Sequence, residues 1–288
     1  MISLFAHQIK ASIIVQTFHH LSMNHSNRRS SFGPDENDPI YVATVQSICN
    51  LSPSIKQFYL NIDDPEKRFF FQPGMFLDFH FSPSITPVVT GFSICNTMND
   101  YSRENLVELA IKRTEYPPTR YMFDQCQVNE KIFVKPGGIF TYDSTLNNQN
   151  SIILICAGIG ANPIVSILRH IRDIYENQTM SGSMPHRVAF FYTAARQEDL
   201  VFRASIDRSC QQMIKDNVLR THYFLTREIN DQPETNNRRI NKEDFVRSLQ
   251  WLEKPVTAYL CGPSSFIHWT EIVLTELNIK NIFFEKWW

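Results

Sequence analysis

The chain has 288 residues, a formal net charge of −1 and 43% hydrophobic residues. This length favours two domains over one, and the balanced charge excludes a general electrostatic attraction to nucleic acid or anionic membranes. No apolar stretch reaches about 18 residues, and the scattered cysteines form no C-x-x-C pair. We therefore expect no membrane span, disulfide framework or metal cluster.

Residues 1–34 differ in composition from the rest of the chain. They are rich in Ser, His and basic residues and contain no Asp or Glu, and Ile9, Ile13, Ile14 and Phe18 could share one face of a helix. This composition is typical of a mitochondrial transit peptide. The alternative is a disordered tail on a cytoplasmic protein.

Residues 38–143 show the pattern of a small antiparallel β-barrel. Short apolar or alternating runs are separated by Pro, Ser, Asn and Asp turn signals, with one helical piece at Arg120–Gln125. The expected strands are Tyr41–Cys49, Ile55–Ile62, Met75–Phe81, Val88–Cys95, Leu106–Arg113 and Lys131–Lys135.

Residues 150–288, after a polar linker at Asp143–Asn150, alternate between strands and helices. This rhythm predicts a Rossmann-like α/β domain, with a parallel five-stranded sheet and helices on both faces. Strands are expected at Ser151–Cys156, Arg187–Thr193, Leu219–Thr226, Val256–Cys261 and Asn281–Glu285, and helices at Pro163–Asn177, Val201–Lys215, Lys242–Leu249 and Ser264–Leu277.

The turn after the first strand of this half carries the clearest motif. Glycines let a backbone approach phosphate closely, proline suits the first turn of a helix, and a helix N-terminus attracts anions. The spacing Gly-x-Gly-x-x-Pro departs from the usual dinucleotide fingerprint only at its last position. We expect a nucleotide pyrophosphate here, an ordinary tight turn being the alternative. The turn residues are Gly158, Ile159, Gly160, Ala161, Asn162 and Pro163.

Three features together resemble the ferredoxin–NADP reductase family. They are the predicted barrel, the glycine turn and the later run Tyr259-Leu260-Cys261-Gly262-Pro263. In that family the barrel holds a flavin and the second domain holds a nicotinamide nucleotide. Three further runs are similar in sequence to a mitochondrial member of the family: Gly91–Cys95, Ser166–His170 and Phe284–Trp288.

The resemblance implies a flavin contact at the fourth barrel strand. The family's Arg-x-Tyr-Ser motif matches Thr90-Gly91-Phe92-Ser93, so Phe92 is expected to stack on the flavin ring and Ser93 to hydrogen-bond near its N5 atom. Thr90 lacks the charge with which the family's Arg binds the flavin phosphate.

A second phosphate element of the family matches Pro117–Thr119. Thr119 is expected to cap a helix and to offer its hydroxyl to phosphate. Arg113 or Arg120 could substitute for the missing arginine.

On the nucleotide side, the resemblance implies that Gly262 and Pro263 form a second turn beside the first. It also places Cys261 under the nicotinamide, although a buried inert thiol is the alternative. The 2′-phosphate of NADPH has three candidate ligands, Arg196, Arg227 and Arg239. The alternative is that these arginines are solvated surface residues paired with nearby acids.

At the carboxyl end, the resemblance implies that Trp288 or Trp287 covers the flavin and that Glu285 handles protons near it. The alternative is aromatic packing into the core.

We therefore expect a flavin-dependent oxidoreductase that passes hydride from NAD(P)H to FAD and electrons to an unknown acceptor, possibly a protein. The alternative is a nucleotide-binding sensor or assembly protein that has lost flavin binding.

Overall fold

The computed structural model describes residues 39–87, 89–144, 150–177, 184–229 and 235–287. The predicted transit peptide and Trp288 lie outside these ranges, so both stay predictions. In the described part of the chain, no helix is long and apolar enough to cross a membrane.

The first sheet is antiparallel and confirms the predicted barrel. Its six strands are arranged in the order β4-β3-β6-β1-β2-β5. An antiparallel bridge between Ile94 and Leu109, with the Cys95 N–H donating to the Glu108 carbonyl at 2.8 Å, joins the two edge strands and closes the sheet. The strands are β1 Tyr41–Ser52, β2 Ile55–Asp63, β3 Phe76–His80, β4 Thr90–Ser93, β5 Leu106–Lys112 and β6 Lys131–Gly137.

Two helices accompany the barrel, α1 (Met98–Glu104) and α2 (Pro117–Asp124). The sequence reading missed α1, which begins with a capping box in which Thr97 and Asp100 bond each other's backbone N–H groups. Helix α2 buries Met122 in the barrel core and corresponds to the expected helical piece.

The second sheet is parallel, with strand order β10-β9-β8-β7-β11-β12. It has six strands where five were predicted. The extra strand, β10, is only Thr235–Asn236, paired with β9, and two residues are too few to show a periodicity. The other strands are β7 Ser151–Ala157, β8 Val188–Ala194, β9 Leu219–Leu225, β11 Val256–Pro263 and β12 Asn281–Trp287.

Helices cover both faces of this sheet. One face packs on the barrel and on α3, α4 and α5, and the other packs on α6 and α7. The helix predicted at Val201–Lys215 is divided at Cys210 into α4 and α5. The helices are α3 Ala161–Glu176, α4 Arg203–Ser209, α5 Gln211–Lys215, α6 Lys242–Trp251 and α7 Ser264–Glu276.

Helix α3 attaches the parallel sheet to the barrel through a stripe of polar side chains spaced four, three and four residues apart, which places them on one helical face. The Asn162 side chain donates to the carbonyl of Ala110 at 2.7 Å, and Asp173 accepts from the Thr97 hydroxyl at 2.7 Å. These bonds fix the barrel against both the start and the last turn of α3. The stripe consists of Asn162, Ser166, Arg169 and Asp173.

The centre of this stripe is a buried ion pair. Arg169 donates to the Glu108 carboxylate at 2.6 Å and to the Cys95 carbonyl at 3.0 Å. The two charged side chains are only 14% and 8% exposed. Their mutual attraction is therefore weakly screened by water.

Candidate functional site

The predicted glycine turn lies at the carboxyl edge of the parallel sheet, directly after β7. Residues Gly158–Gly160 form a single 3₁₀ turn that leads into α3. Gly158 has φ +56°, a left-handed conformation that favours glycine. A Cβ atom added there would meet nothing within 4 Å, so this glycine faces open space.

The two predicted turns meet backbone to backbone. A Cβ atom added to Gly160 would lie 2.7 Å from the carbonyl carbon and oxygen of Cys261 and 2.8 Å from Cα of Gly262. A Cβ on Gly262 would in turn lie 3.0 Å from Cβ of Ala157. Glycine is thus required at position 160 by close packing, and Pro263 follows at the end of β11.

The remaining turn residues form the buried first turn of α3. Ala161, Asn162 and Pro163 are its first three residues, and the helix starts two residues earlier than predicted. Ile159 is partly buried against the core, and the Asn162 amide is committed to the barrel strand β5. The start of this 16-residue helix gives the carboxyl edge a favourable position for an anion.

Cys261 and Glu285 are register neighbours on β11 and β12. Cys261 is fully buried within the cluster that joins the sheet to the barrel. The Oε2 atom of Glu285 is buried without a hydrogen-bond partner among the described residues. Burial raises the pKa of Glu285 to about 8, so the carboxyl group is mostly protonated at neutral pH and can donate a hydrogen bond.

Ser93 faces the same junction from the barrel. It lies two residues before Cys95, which packs in one cluster with Cys156, Ala161 and Cys261. Alternate residues of an extended chain point to the same side, so Ser93 and Cys95 share this face. The Ser93 side chain is 2% exposed, and its Oγ atom has no partner in the described ranges.

The structure places Phe92 differently from the prediction. Its ring lies in the barrel core, with centroids 4.8 Å from Phe79 and 6.5 Å from Phe81, both at steep angles. Stacking on a flavin would require the ring to leave this packing. The cause is strand alternation, since Phe92 pairs with the inward-facing Leu77.

The prediction that Thr119 caps a helix is wrong. Pro117 and Pro118 begin α2, so the N-cap is Tyr116, which has no side-chain capping bond. The Thr119 hydroxyl instead donates to the Tyr116 carbonyl at 2.9 Å and lies 2.6 Å from the hydroxyl of Thr114.

Arginines follow the carboxyl ends of the outer strands. The structure brings the Arg196 and Arg227 segments together, because the Arg227 N–H donates to the carbonyl of Ala195 at 3.0 Å. Arg196 pairs with Glu198 at 3.6 Å. Arg239 is exposed three residues after β10.

Sequence reasoning missed the polar stripe of α3 and its partner Glu108. The only available signal was its spacing along the helix, because the partners lie far away in the sequence. It also missed Thr193 at the end of β8, whose buried Oγ1 atom has no partner among the described residues.

Comparisons with known proteins agree with this architecture. Residues 154–271 match the family model for the oxidoreductase NAD-binding domain. A Danio rerio relative, oxidoreductase NAD-binding domain-containing protein 1, is 30% identical over 257 residues, covering 86% of this chain and 92% of the relative.

Two solved structures share the fold. The FAD/NAD-binding domain of a Vibrio cholerae nitric oxide dioxygenase has a TM-score of 0.67 at 19% identity, covering 87% of this chain and 99% of that one. A Neisseria gonorrhoeae ferredoxin–NADP⁺ reductase, with bound FAD and NADP, has a TM-score of 0.66 at 16% identity, covering 86% and 98%. The chain belongs to the oxidoreductase NAD-binding domain-containing protein 1 family and has a ferredoxin–NADP reductase-like fold.

Proposed function

We propose that this family member is an NAD(P)H-dependent oxidoreductase that delivers hydride to a flavin at the junction of barrel and sheet. The observation that carries the proposal is the contact of Gly160 with the Cys261–Gly262 backbone. It brings two glycine turns together beside a helix N-terminus, where a nucleotide pyrophosphate is bound favourably. Electrons leave to an acceptor that is not identified.

In this proposal the protein contributes positioning and hydrogen bonds. The pyrophosphate lies on the 158–163 turn, and the nicotinamide lies near Cys261. The Ser93 hydroxyl and the protonated Glu285 carboxyl are hydrogen-bond donors for a ring that gains negative charge as hydride arrives. The buried junction excludes water, and holding both rings in place supplies much of the rate.

We also propose a preference for NADPH over NADH. The exposed Arg227 has no ion-pair partner among the described residues, and its backbone N–H is bonded to Ala195, next to Arg196. A guanidinium group at this edge can bind the additional 2′-phosphate. Arg227→Ala serves as the test, with NADPH affinity lowered and NADH affinity unchanged.

The test of the main proposal is Gly160→Ala in the full chain. Its methyl group must push the two turns apart, so we expect NADPH affinity, measured by nucleotide fluorescence, to fall at least about tenfold. NADPH oxidation with an artificial electron acceptor should fall with it.

Lys242→Ala is the matched control. Lys242 pairs with Glu276 at the end of α7, and α7 runs back from the carboxyl edge, so this pair lies at the opposite edge of the sheet. The proposal is contradicted if the folded Gly160→Ala variant binds NADPH as tightly as the wild-type protein does. It is also contradicted if the wild-type protein binds no nicotinamide nucleotide.

A further inference from the structure

The fold family implies a resident FAD, whose diphosphate needs a cation or free N–H groups on the barrel. At position 90, the start of β4, the barrel instead has an uncharged threonine that is 4% exposed. Its Oγ1 atom lies 3.1 Å from the hydroxyl of Tyr116. This polar group already has an internal partner.

The nearby helix start offers little to a phosphate. The first two residues of α2, Pro117 and Pro118, have no backbone N–H. The Tyr116 N–H donates to the Thr114 hydroxyl at 3.2 Å, and the Thr119 hydroxyl is engaged as described above. Four of the donors expected at such a site are thus absent or already in use.

The arginines that could replace the missing cation are engaged as well. Arg113 donates through Nε to both carboxylate oxygens of Asp124, at 2.9 and 3.1 Å. Arg120 lies 3.8 Å from Asp124 and 4.0 Å from Glu115. The Arg113 hydrogen bond lowers the pKa of Asp124, so this carboxylate stays charged and competes with a phosphate.

The part of the site that would face the flavin ring, at the junction of barrel and sheet, does have polar groups without partners among the described residues. Ser93 Oγ and Glu285 Oε2 are buried polar atoms without partners in the described part of the chain, on the faces that meet at the junction. Buried polar atoms are normally hydrogen-bonded, so a group bound at the junction would supply what they lack. The residues fit a planar, hydrogen-bonding ring and do not fit the diphosphate of FAD.

We propose that the flavin is an exchangeable substrate, recognised by its isoalloxazine ring and not by its phosphate tail. This rests on the proposed function. The C4–H bond of NAD(P)H breaks, and hydride forms a bond to N5 of the oxidised flavin. One proton from water completes the dihydroflavin, and NAD(P)⁺ and the reduced flavin then dissociate.

The experiment compares riboflavin, FMN and FAD as substrates of the full-length wild-type chain, with flavin content measured after gel filtration. We expect no retained flavin and kcat/KM values for NADPH oxidation that agree within about threefold, because no charge-assisted bond to the tail exists. Stoichiometric FAD after gel filtration, or FAD preferred over riboflavin roughly 100-fold or more, overturns the inference.

The outcomes also separate this inference from the proposed function. If FAD is retained and NADPH reduces it, the proposed oxidoreductase activity stands and only the inference of an exchangeable flavin is rejected. If NADPH is not oxidised with any flavin or with an artificial acceptor, the proposed function and the inference of an exchangeable flavin are both rejected.

A variant provides an independent check. Thr90→Arg supplies the missing cation and should raise the preference for FMN and FAD over riboflavin about tenfold, whereas Thr90→Met, of similar length but uncharged, should not. Circular dichroism establishes that both variants fold. If they do not, the wild-type comparison decides alone.

Discussion

Replacing Arg169 by methionine should destabilise the protein strongly, because it breaks the ion pair that joins α3 to the barrel. The Glu108 carboxylate is 8% exposed and loses its 2.6 Å contact with the guanidinium group. Among the residues that the structure describes, only the Gln57 amide, at 2.7 Å, still donates to it. Methionine keeps much of the apolar stem, so the change mainly removes charge and hydrogen bonds.

The expected magnitude follows from burial. Removing one partner of a buried pair leaves an uncompensated charge, which costs about 3–5 kcal/mol of unfolding free energy. The Cys95 carbonyl also loses its donor, worth about 1 kcal/mol. The combined variant Arg169→Met, Glu108→Gln removes the stranded charge and should recover about half of the loss.

Urea unfolding followed by circular dichroism measures these differences. The control is Lys242→Ala, which breaks an ion pair whose side chains are 46% and 54% exposed and should cost less than about 1 kcal/mol. If Arg169→Met costs no more than this control, or the double variant is as unstable as the single one, the reasoning from burial is wrong.

Two further predictions concern the unpartnered polar groups of the junction. Because the native pKa of Glu285 is raised from 4.5 to about 8, the native state keeps a proton that the unfolded chain has lost. Stability should therefore fall between these pH values, by at most about 1.4 kcal/mol per pH unit, and Glu285→Gln should reduce that slope in urea unfolding at pH 5 to 9. Parallel pH profiles for the two proteins would count against a buried carboxyl. Ser93→Ala should leave unfolding free energy unchanged or raise it by up to about 1 kcal/mol, since it deletes an unsatisfied hydroxyl. Hydride transfer in stopped flow should slow roughly 10–100-fold; an unchanged rate would remove Ser93 from the site.

Local patterns made most of the fold predictable. Apolar alternation revealed the barrel strands, and glycine and proline marked the turn at the start of α3, because these features depend on neighbouring residues. The Thr97–Asp100 capping box of α1 was also visible in the sequence and was overlooked.

The errors concern contacts between distant segments. The inward orientation of Phe92 depends on its pairing with β3, which a single strand does not reveal. Arg169 and Glu108 are 61 residues apart, so nothing local connects them. Thr119 was misplaced because the helix begins at Pro117, where the phosphate motif of the family could not be read residue for residue.

Helix α3 has a consequence for the relative placement of the barrel and the parallel sheet. Gly160, directly before its first residue, packs against the Cys261–Gly262 backbone, while its polar stripe, beginning at Asn162, is hydrogen-bonded to the barrel. One continuous helix thus holds the glycine turn and the barrel together, and the connecting segment adds to this through the buried rings of Phe140 and Tyr142, which pack against Tyr259 of β11. A substitution that tilts α3 should therefore displace the glycine turn and the barrel contacts together.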